Sequence, residues 1–331
     1  MAIADVTVRG AGVFGLCVAW TCIQRGAHVQ LIDPNGAGAG ASGGVVGAFA
    51  PHVPDQWNAK KQFQFEALLM ASGFWSGVST ASGLSTGYRR SGRIQPINEA
   101  VVDLARRRAV AAEVNWKGLA DWQVGQGPWG WQIRDTLSAQ IHPRLAVAAL
   151  AKALEKRGVM VQRDGEDQGQ IVHATGWHGL VAGGFGGGEK GQAVLLDLDR
   201  RAQPQLFADG LHIISHDDGT TAIGSTSERE FDDPTGVDGQ CDDLIARAAM
   251  ILSDLANARV LERWAGVRPR TKNRAPLLGP WPTRPGHFIA NGGYKIGFGI
   301  APKVGQLIAD LVLEGRDEIP KMFLADGLRR G

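Results

Sequence analysis

The sequence is poor in the residue patterns that would indicate a disulfide-rich protein or a metalloprotein. It has three cysteines, Cys17, Cys22 and Cys241, whose spacing fits neither a metal site nor a redox pair. Cysteines without a pairing pattern are typical of a reducing compartment, so we expect a cytoplasmic protein in which Cys17 and Cys22 are small core residues. Neither HExxH nor CxxC occurs and the histidines are scattered, so we expect no metal.

Strong net charge and long apolar runs are also missing. The 331 residues carry 35 basic and 33 acidic side chains, a net charge of +2, which does not indicate a nucleic-acid surface. No apolar run is long enough to cross a membrane, so we expect no membrane span. Tyrosine is scarce beside tryptophan. A cluster of four tryptophans favours core packing, with a pocket wall as the alternative: Trp116, Trp122, Trp129 and Trp131.

The opening residues, ADVTVRGAGVFGLCVAWTCIQRGAHVQLIDP, contain the parts of a βαβ unit in order. A short strand leads into Gly10, Gly12 and Gly15, which form GxGxxG at the start of a helix. In such a unit the glycines permit a tight turn, close backbone approach to a pyrophosphate, and close helix–strand packing. Asp33 ends the second strand, where a carboxylate can bond ribose hydroxyls. The pattern predicts dinucleotide binding, with NAD or FAD as the ligand.

The following stretch, NGAGAGASGGVVGAFAPH (35–52), favours FAD. An NAD-binding domain would normally continue with another helix here, whereas a backbone of small residues suits close packing against an extended flavin. A flexible loop is the alternative. Its embedded apolar residues Val45, Val46 and Phe49 argue against that alternative, because flexible linkers rarely carry such side chains.

Taken together, these motifs resemble the D-amino-acid oxidase and glycine oxidase family of FAD-dependent oxidoreductases, and in particular glycine oxidase of thiamine biosynthesis. The resemblance covers most of the chain in order. It rests on GASGGVVG (40–47), IHPRLAVAALAKALEKRGV (141–159), IVHATGW (171–177), GVRPRTKNRAPLLGP (266–280) and FIANGGYKIGFG (288–299). The stretch between the second and third motifs is short, so the family's adenine-side contact there is expected to be altered.

The fold that this resemblance implies is α/β, with a Rossmann-like FAD-binding domain interleaved with a smaller α+β substrate domain on a mainly antiparallel sheet. The FAD-binding domain is expected to comprise residues 1–50, 141–176 and 264–331. The substrate domain is expected to comprise residues 51–140 and 177–263.

Three segments allow more local predictions. GLHIISHDDGTTAIGST (210–226) predicts two strands around a turn, and APKVGQLIADLVLEG (301–315) predicts a final helix that ends at Gly315. The N-terminus of that helix is expected to point toward the flavin. VAGGFGGGEKG (181–191) predicts a flexible loop, although its last residues overlap a stretch that resembles a family strand.

The resemblance also implies noncovalent FAD, because no cysteine or histidine lies where relatives attach the flavin. The residues expected to contact the cofactor are Gly10, Gly12, Val13, Phe14, Gly15, Asp33, Pro34, Ala41, Ser42, Val46, Gly47, Ala48, Gly293, Tyr294, Lys295, Ile296, Gly297 and Phe298.

Three residues are expected at the reacting substrate. Arg268, in the GxRP pattern, matches the family arginine that pairs with the substrate α-carboxylate, and a planar fork suits that role. Lys295 lies where glycine oxidases carry a second arginine, and His212 where related enzymes place a tyrosine. The alternatives are a structural arginine, a solvated lysine and a structural histidine.

The resemblance implies an amino-acid oxidase that converts glycine or another small amine to the imine by hydride transfer to flavin, with oxygen as acceptor and H2O2 as product. A homo-oligomer is possible by analogy. The alternatives are a D-amino-acid dehydrogenase that reduces a quinone, a tRNA-modifying FAD oxidase, a non-catalytic FAD-binding protein, and a nicotinamide-dependent dehydrogenase, which the 35–52 segment disfavours.

Overall fold

A computed structural model describes residues 3–328, with side chains up to residue 326. The strands are β1 Val6–Arg9, β2 Val29–Ile32, β3 Ala48–Phe49, β4 Arg93–Pro96, β5 Trp122–Gly127, β6 Gly130–Asp135, β7 Ala139–Gln140, β8 Val161–Gln162, β9 Gln170–His173, β10 Gly186–Asp197, β11 Gln205–Ala208, β12 Leu211–Ser215, β13 Thr220–Gly224, β14 Arg259–Thr271, β15 Leu277–Pro280 and β16 His287–Asn291. The helices are α1 Val13–Gln24, α2 Ala59–Ser82, α3 Val102–Trp116, α4 Pro143–Glu155, α5 Gly176–Ala182, α6 Gln240–Ile251 and α7 Gly297–Glu314.

A six-stranded sheet carries the predicted βαβ unit. Its order is β15-β16-β9-β1-β2-β8, and every neighbouring pair is parallel except β15 with β16 at one edge. Helix α1 is buried over most of its length and packs against β1, β2 and α7. The approach of α1 to β1 depends on Gly15, because a Cβ there would lie 1.8 Å from the carbonyl oxygen of Gly10. This confirms the expected dinucleotide-binding architecture.

An eight-stranded sheet, ordered β14-β10-β13-β12-β11-β4-β6-β5, forms the second layer. Its pairs are antiparallel except β11 with β4, as the mainly antiparallel prediction requires. Successive side chains of a strand point to opposite faces. In β10, Val194 and Leu196 pack in a core with α6, whereas Ala193 and Leu195 pack with Val45 on the other face. That second face covers the glycine-rich segment of the opening domain.

The predicted domain ranges remain a prediction, although the sheets follow them closely. All six strands of the parallel sheet lie within 1–50, 141–176 and 264–331, whose ends at 1–2 and 329–331 lie outside the described residues. Strand β14 begins before residue 264 and pairs with β10 of the other sheet. Helix α2, from the predicted substrate domain, packs against α4 and α7 within the same apolar core as α1.

The prediction of a flexible loop over residues 181–191 was wrong. Residues 186–191 form the first half of β10 and pair with 266–271 of β14. The glycines there leave room for the partner strand: a Cβ at Gly186 would lie 2.3 Å from the Arg270 carbonyl oxygen, and one at Gly188 would lie 2.2 Å from Val267 Cγ1. Glycine in this segment therefore reflects close approach of the two strands rather than flexibility.

Several other predictions are confirmed. Residues 210–226 form the β12–β13 hairpin, and α7 ends before Gly315, whose positive φ of 67° suits glycine. Cys17 and Cys22 are buried in α1, and burial raises the pKa of the Cys22 thiol to about 12, consistent with an unreactive core residue. Trp116 and Trp122 belong to the main apolar core, as the packing interpretation predicts.

The pairing of β4 with β6 contains a buried ion pair. Arg93 Nε lies 3.0 Å from Asp135 Oδ2, and the two side chains are 7% and 0% exposed. Asp135 Oδ1 also accepts a hydrogen bond of 2.7 Å from the Ser138 amide. Removing the carboxylate would leave a buried guanidinium without its counter-charge, which is costly in a protein interior.

We therefore expect Asp135→Ala to lower the free energy of unfolding by about 3–5 kcal/mol in urea, followed by tryptophan fluorescence. Asp103→Ala is the control, because its pair with Arg106 is exposed and should contribute less than about 1 kcal/mol. Equal small effects of both substitutions would show that the buried pair does not stabilise the sheet.

Candidate active site

A cavity of about 630 Å³ extends along the first sheet and across the second, within the size range of cofactor and ligand sites. Every residue expected to contact the cofactor lines it except Gly15, whose place is against the backbone of Gly10. Arg268, Lys295 and His212 line the same cavity. The structure therefore brings the predicted cofactor and substrate residues together, while their contacts with ligands remain predictions.

The N-terminus of α1 suits a pyrophosphate. Gly12, at the N-cap of the helix, has no side chain to accept from its amides, and the first turn contains no acidic residue. The Val13 amide donates to Ser42 Oγ at 2.9 Å, which ties the helix start to the glycine-rich segment. Free amides and the helix dipole favour a negative group here. These residues fit the diphosphate of FAD.

The far end of the cavity fits an adenosine. Asp33 is held by two backbone amides: its Oδ2 accepts from Ala11 at 2.8 Å and its Oδ1 from Asn35 at 2.9 Å. A carboxylate fixed in this way can still accept ribose hydroxyls. Arg9 also lines this end and pairs with Asp167 at 2.6 Å. The sequence analysis missed Arg9, although a charged residue directly before GxGxxG was a visible signal.

The glycine-rich segment has a defined conformation, which contradicts the alternative of a flexible loop, as its embedded apolar residues indicated. Ala41–Gly43 form a 3-10 turn, and Val45 is buried against the second sheet. His216 Nε2 lies 2.9 Å from the Val45 carbonyl oxygen. A Cβ at Gly47 would lie 1.9 Å from the Ile141 carbonyl oxygen, so a side chain cannot be accommodated there. The segment thus forms a fixed wall of the cavity.

A clamp formed by Arg144, Glu262 and Gly43 supports this wall. The Arg144 guanidinium makes two hydrogen bonds of 2.6 Å with Glu262 of β14, and its Nε donates to the Gly43 carbonyl oxygen at 2.8 Å. Side-chain hydrogen bonding to Glu262 raises the pKa of Arg144 and lowers that of Glu262. One side chain of α4 therefore joins the Ala41–Gly43 turn to the second sheet.

Arg268 is partly buried at the junction of β10 and β14. Its guanidinium donates to the carbonyl oxygens of Thr226 at 3.3 Å and Lys190 at 3.4 Å, and to Ser225 Oγ. Burial lowers its pKa from the ordinary value, although an arginine stays charged in proteins. A Cβ at Gly191 would lie 2.0 Å from Arg268 Nη2, so the absent side chain makes room for the guanidinium.

Glu189, which the sequence analysis missed, contacts two residues that line the cavity, Tyr294 and Lys295. It lies directly opposite Arg268 in the register of β10 and β14, and its side chain is 4% exposed. Its carboxylate accepts from Tyr294 Oη at 2.6 Å and from Ser227 Oγ. Burial raises the pKa of Glu189, but these hydrogen bonds and the charge of Lys295 together bring the pKa below its usual value. Because residues 181–191 were predicted to form a loop, the pairing of Glu189 with Arg268 was not predicted.

His212 points to the cavity as an uncharged side chain. It alternates with Ile213 of β12, which faces the α6 core, so its ring lies on the opposite face. Burial, with the charges of Arg93 and Lys295, lowers its pKa to about 3. Its Nδ1 has no hydrogen-bond partner among the described residues. A neutral imidazole therefore lines the substrate end of the cavity.

Lys295 lies at the solvent-facing edge of the cavity. Its side chain is 51% exposed, and its Nζ lies 3.1 Å from Ser227 Oγ and 3.5 Å from Glu189 Oε1. The interpretation of Lys295 as a solvated lysine is too simple, since it joins the segment before α7 to the segment after β13. Trp177 and Trp264 also line the cavity, in contrast to the four tryptophans considered from the sequence.

The fold and cavity together define a dinucleotide-binding α/β protein with a second sheet over the cofactor site. The family described as FAD dependent oxidoreductase (DAO) matches residues 5–311, and the chain belongs to this family. Its cofactor is FAD, and the chain is an enzyme of the glycine oxidase-like FAD oxidoreductases. The resemblance and the fold predicted from the sequence are thereby confirmed.

Individual relatives extend the comparison. The chain is 27% identical over 353 aligned residues to the bifunctional protein ThiO/ThiG of Nostoc sp.. The alignment covers 95% of this chain but 53% of that protein. The chain is 26% identical over 362 residues to the glycine oxidase of Geobacillus kaustophilus, covering 93% and 92% of the two chains. The crystal structure of that glycine oxidase matches with a TM-score of 0.85 at 22% identity, over 97% and 98% of the two chains.

Two expectations from the sequence concern membrane-spanning helices and metal-binding side chains. Within residues 3–328, no helix combines the length and apolar character needed to cross a membrane. Across the same part of the chain, His, Cys, Asp and Glu side chains form no group of three or more that could hold a metal ion. The absence of a metal from the working protein remains a prediction.

We expect Arg144→Ala to weaken FAD binding about fivefold, because the Ala41–Gly43 turn of the cavity wall loses its link to β14. The dissociation constant would be measured by titrating apoprotein with FAD and following the change in flavin fluorescence. Arg259→Ala is the matched control, since Arg259 lies on β14, the strand of Glu262, in an exposed pair with Asp197. Unchanged affinity in Arg144→Ala would show that the clamp does not position the cofactor site.

Proposed function

We propose that this protein oxidises glycine or another small amino acid to the corresponding imine, with oxygen as the electron acceptor and H2O2 as product. The observation that carries the proposal is one continuous cavity lined by the N-terminus of α1 at one side and by the partly buried guanidinium of Arg268 at the other. Bound FAD would supply the oxidising chemistry, as the acceptor of a hydride from the amine carbon.

The protein's own contribution is to bind and orient the substrate. Arg268 offers a planar fork suited to an α-carboxylate, and its backbone and side-chain acceptors hold it in one orientation. The neutral His212 ring can hydrogen-bond the substrate without adding charge. Orientation of this kind can supply a large part of a rate enhancement without an acid or base on the protein.

The location of the protein and the attachment of its cofactor are part of the same proposal. The buried cysteines fit a reducing, cytoplasmic location, and FAD is expected to bind noncovalently. Activity tests must separate two alternatives: a quinone as the electron acceptor, as in D-amino-acid dehydrogenases, and a tRNA-linked or larger amine as the substrate. Turnover would exclude a protein that binds FAD without catalysis. The mass in solution would show whether the chain forms a homo-oligomer.

The first experiment is anaerobic addition of glycine to the purified holoprotein, with the oxidised flavin band followed by absorbance. We expect bleaching, and recovery of the band with H2O2 formation when air is admitted. Bleaching that air does not reverse but a quinone does would replace oxygen with a quinone acceptor. A flavin that neither glycine nor other small amino acids reduce would contradict the proposed substrate class.

A second test of the carboxylate-binding role of Arg268 uses the space that Gly191 leaves beside its guanidinium. Gly191→Ala would place a methyl group against the guanidinium, so we expect KM for the amino acid to rise at least tenfold while FAD stays bound. Gly187→Ala, on the same strand with no neighbouring atom within 4 Å of its Cβ position, is the control. Arg268→Ala should give the same loss of affinity with retained flavin. Activity that survives Arg268→Ala would refute the carboxylate-binding role.

A further inference from the structure

The substrate end of the cavity has more positive charge than one carboxylate requires. Glu189 is shared by two cations besides the adjacent Arg268: Lys295 Nζ lies 3.5 Å from its Oε1, and Arg270 Nε lies 3.6 Å from its Oε2. One carboxylate can offset only one of these charges. Apart from Arg268, a net positive charge therefore remains at this edge of the cavity.

No other acidic side chain of the described residues forms an ion pair with Lys295 or Arg270. Glu228 pairs with Lys190, with Nζ and Oε2 3.5 Å apart, so this pair adds no net charge. Asp238 keeps its negative charge but is directed at Gln192 and the Gln240 amide, from which it accepts hydrogen bonds. His212 does not add a positive charge because burial keeps it neutral. The excess charge is thus carried by Lys295 and Arg270.

Lys295 is the member of this pair that can reach a ligand. It lines the cavity, whereas Arg270 packs behind Glu189. A lysine ammonium has three donors, and Ser227 and Glu189 account for two directions. The third donor and the half-exposed position leave Lys295 able to bind an anionic group of a molecule whose first carboxylate is held by Arg268.

We propose that Lys295 forms a subsite for a second carboxylate, so that the preferred substrate is a small amine with two carboxylates rather than glycine itself. This inference rests on the proposed function, since it names the substrate class of the same site. Glu189 sets the strength of the subsite: it positions Lys295 and lowers the net charge available to the ligand.

The test uses two ligands that contain an ether oxygen in place of the amine and therefore cannot be oxidised as amines. Oxydiacetate has two carboxylates and methoxyacetate has one. Their dissociation constants for the holoprotein would be measured by flavin difference absorbance and by calorimetry. We expect oxydiacetate to bind about fivefold more tightly than methoxyacetate. Equal affinities in the unmodified protein would overturn the subsite.

Two variants should change this preference in opposite directions. Lys295→Met removes the ammonium and should bring the two affinities together, whereas Glu189→Gln removes the competing charge and should increase the preference for oxydiacetate. Lys152→Met, at an exposed position of α4, is the control and should behave as the unmodified protein. A preference that survives Lys295→Met, or that Glu189→Gln abolishes, would overturn the assignment.

The outcome can be separated from that of the proposed function. Ligand binding is measured without turnover, so a dicarboxylate preference can be observed even if no amine reduces the flavin. Where turnover occurs, iminodiacetate should have a lower KM than N-methylglycine, and Lys295→Met should remove most of that difference in KM. A KM for iminodiacetate that stays below that for N-methylglycine in Lys295→Met would contradict the subsite.

Discussion

The partly buried guanidinium of Arg268 is the charge around which the substrate end of this protein is organised. A buried cation must have hydrogen-bond acceptors and a counter-charge, because its transfer from water is otherwise costly. Carbonyl oxygens of Lys190 and Thr226 provide acceptors, and Glu189 lies opposite on the neighbouring strand. The space comes from Gly191, where a side chain would overlap the guanidinium. The pairing of β10 with β14 therefore both stabilises the second sheet and fixes the position of Arg268.

The alternation of side chains in the second sheet links its stability to the cofactor site. One face packs with α6, while the other presents Ala193 and Ile214 to Val45 of the glycine-rich segment. The same alternation places His212 toward the cavity and keeps it uncharged by burial. Arg144 then joins that segment to β14 through Glu262. The wall of the cavity is held by the second sheet and by α4, which explains why a segment so rich in glycine has a defined conformation.

The opening βαβ unit could be predicted because its signals are local. Gly10, Gly12, Gly15 and Asp33 follow one another within a single short unit, and each is required by the geometry of that unit. The final helix and the β12–β13 hairpin were predictable for the same reason, since periodicity and turn residues report neighbours in the chain. The glycine-rich residues 186–191 were misassigned because glycine is common in loops, and the strand it permits is visible only beside its partner.

By itself the sequence determined the dinucleotide-binding unit, the family resemblance and the residue types at the substrate end, because these depend on short motifs. The tertiary structure decided which side chains share an environment. It brought Glu189 beside Arg268 and Lys295 from distant parts of the chain, and it removed the charge of His212 by burial. The electrostatic balance of the site depends on distances and solvent exposure between strands remote in sequence, and no local pattern encodes those quantities.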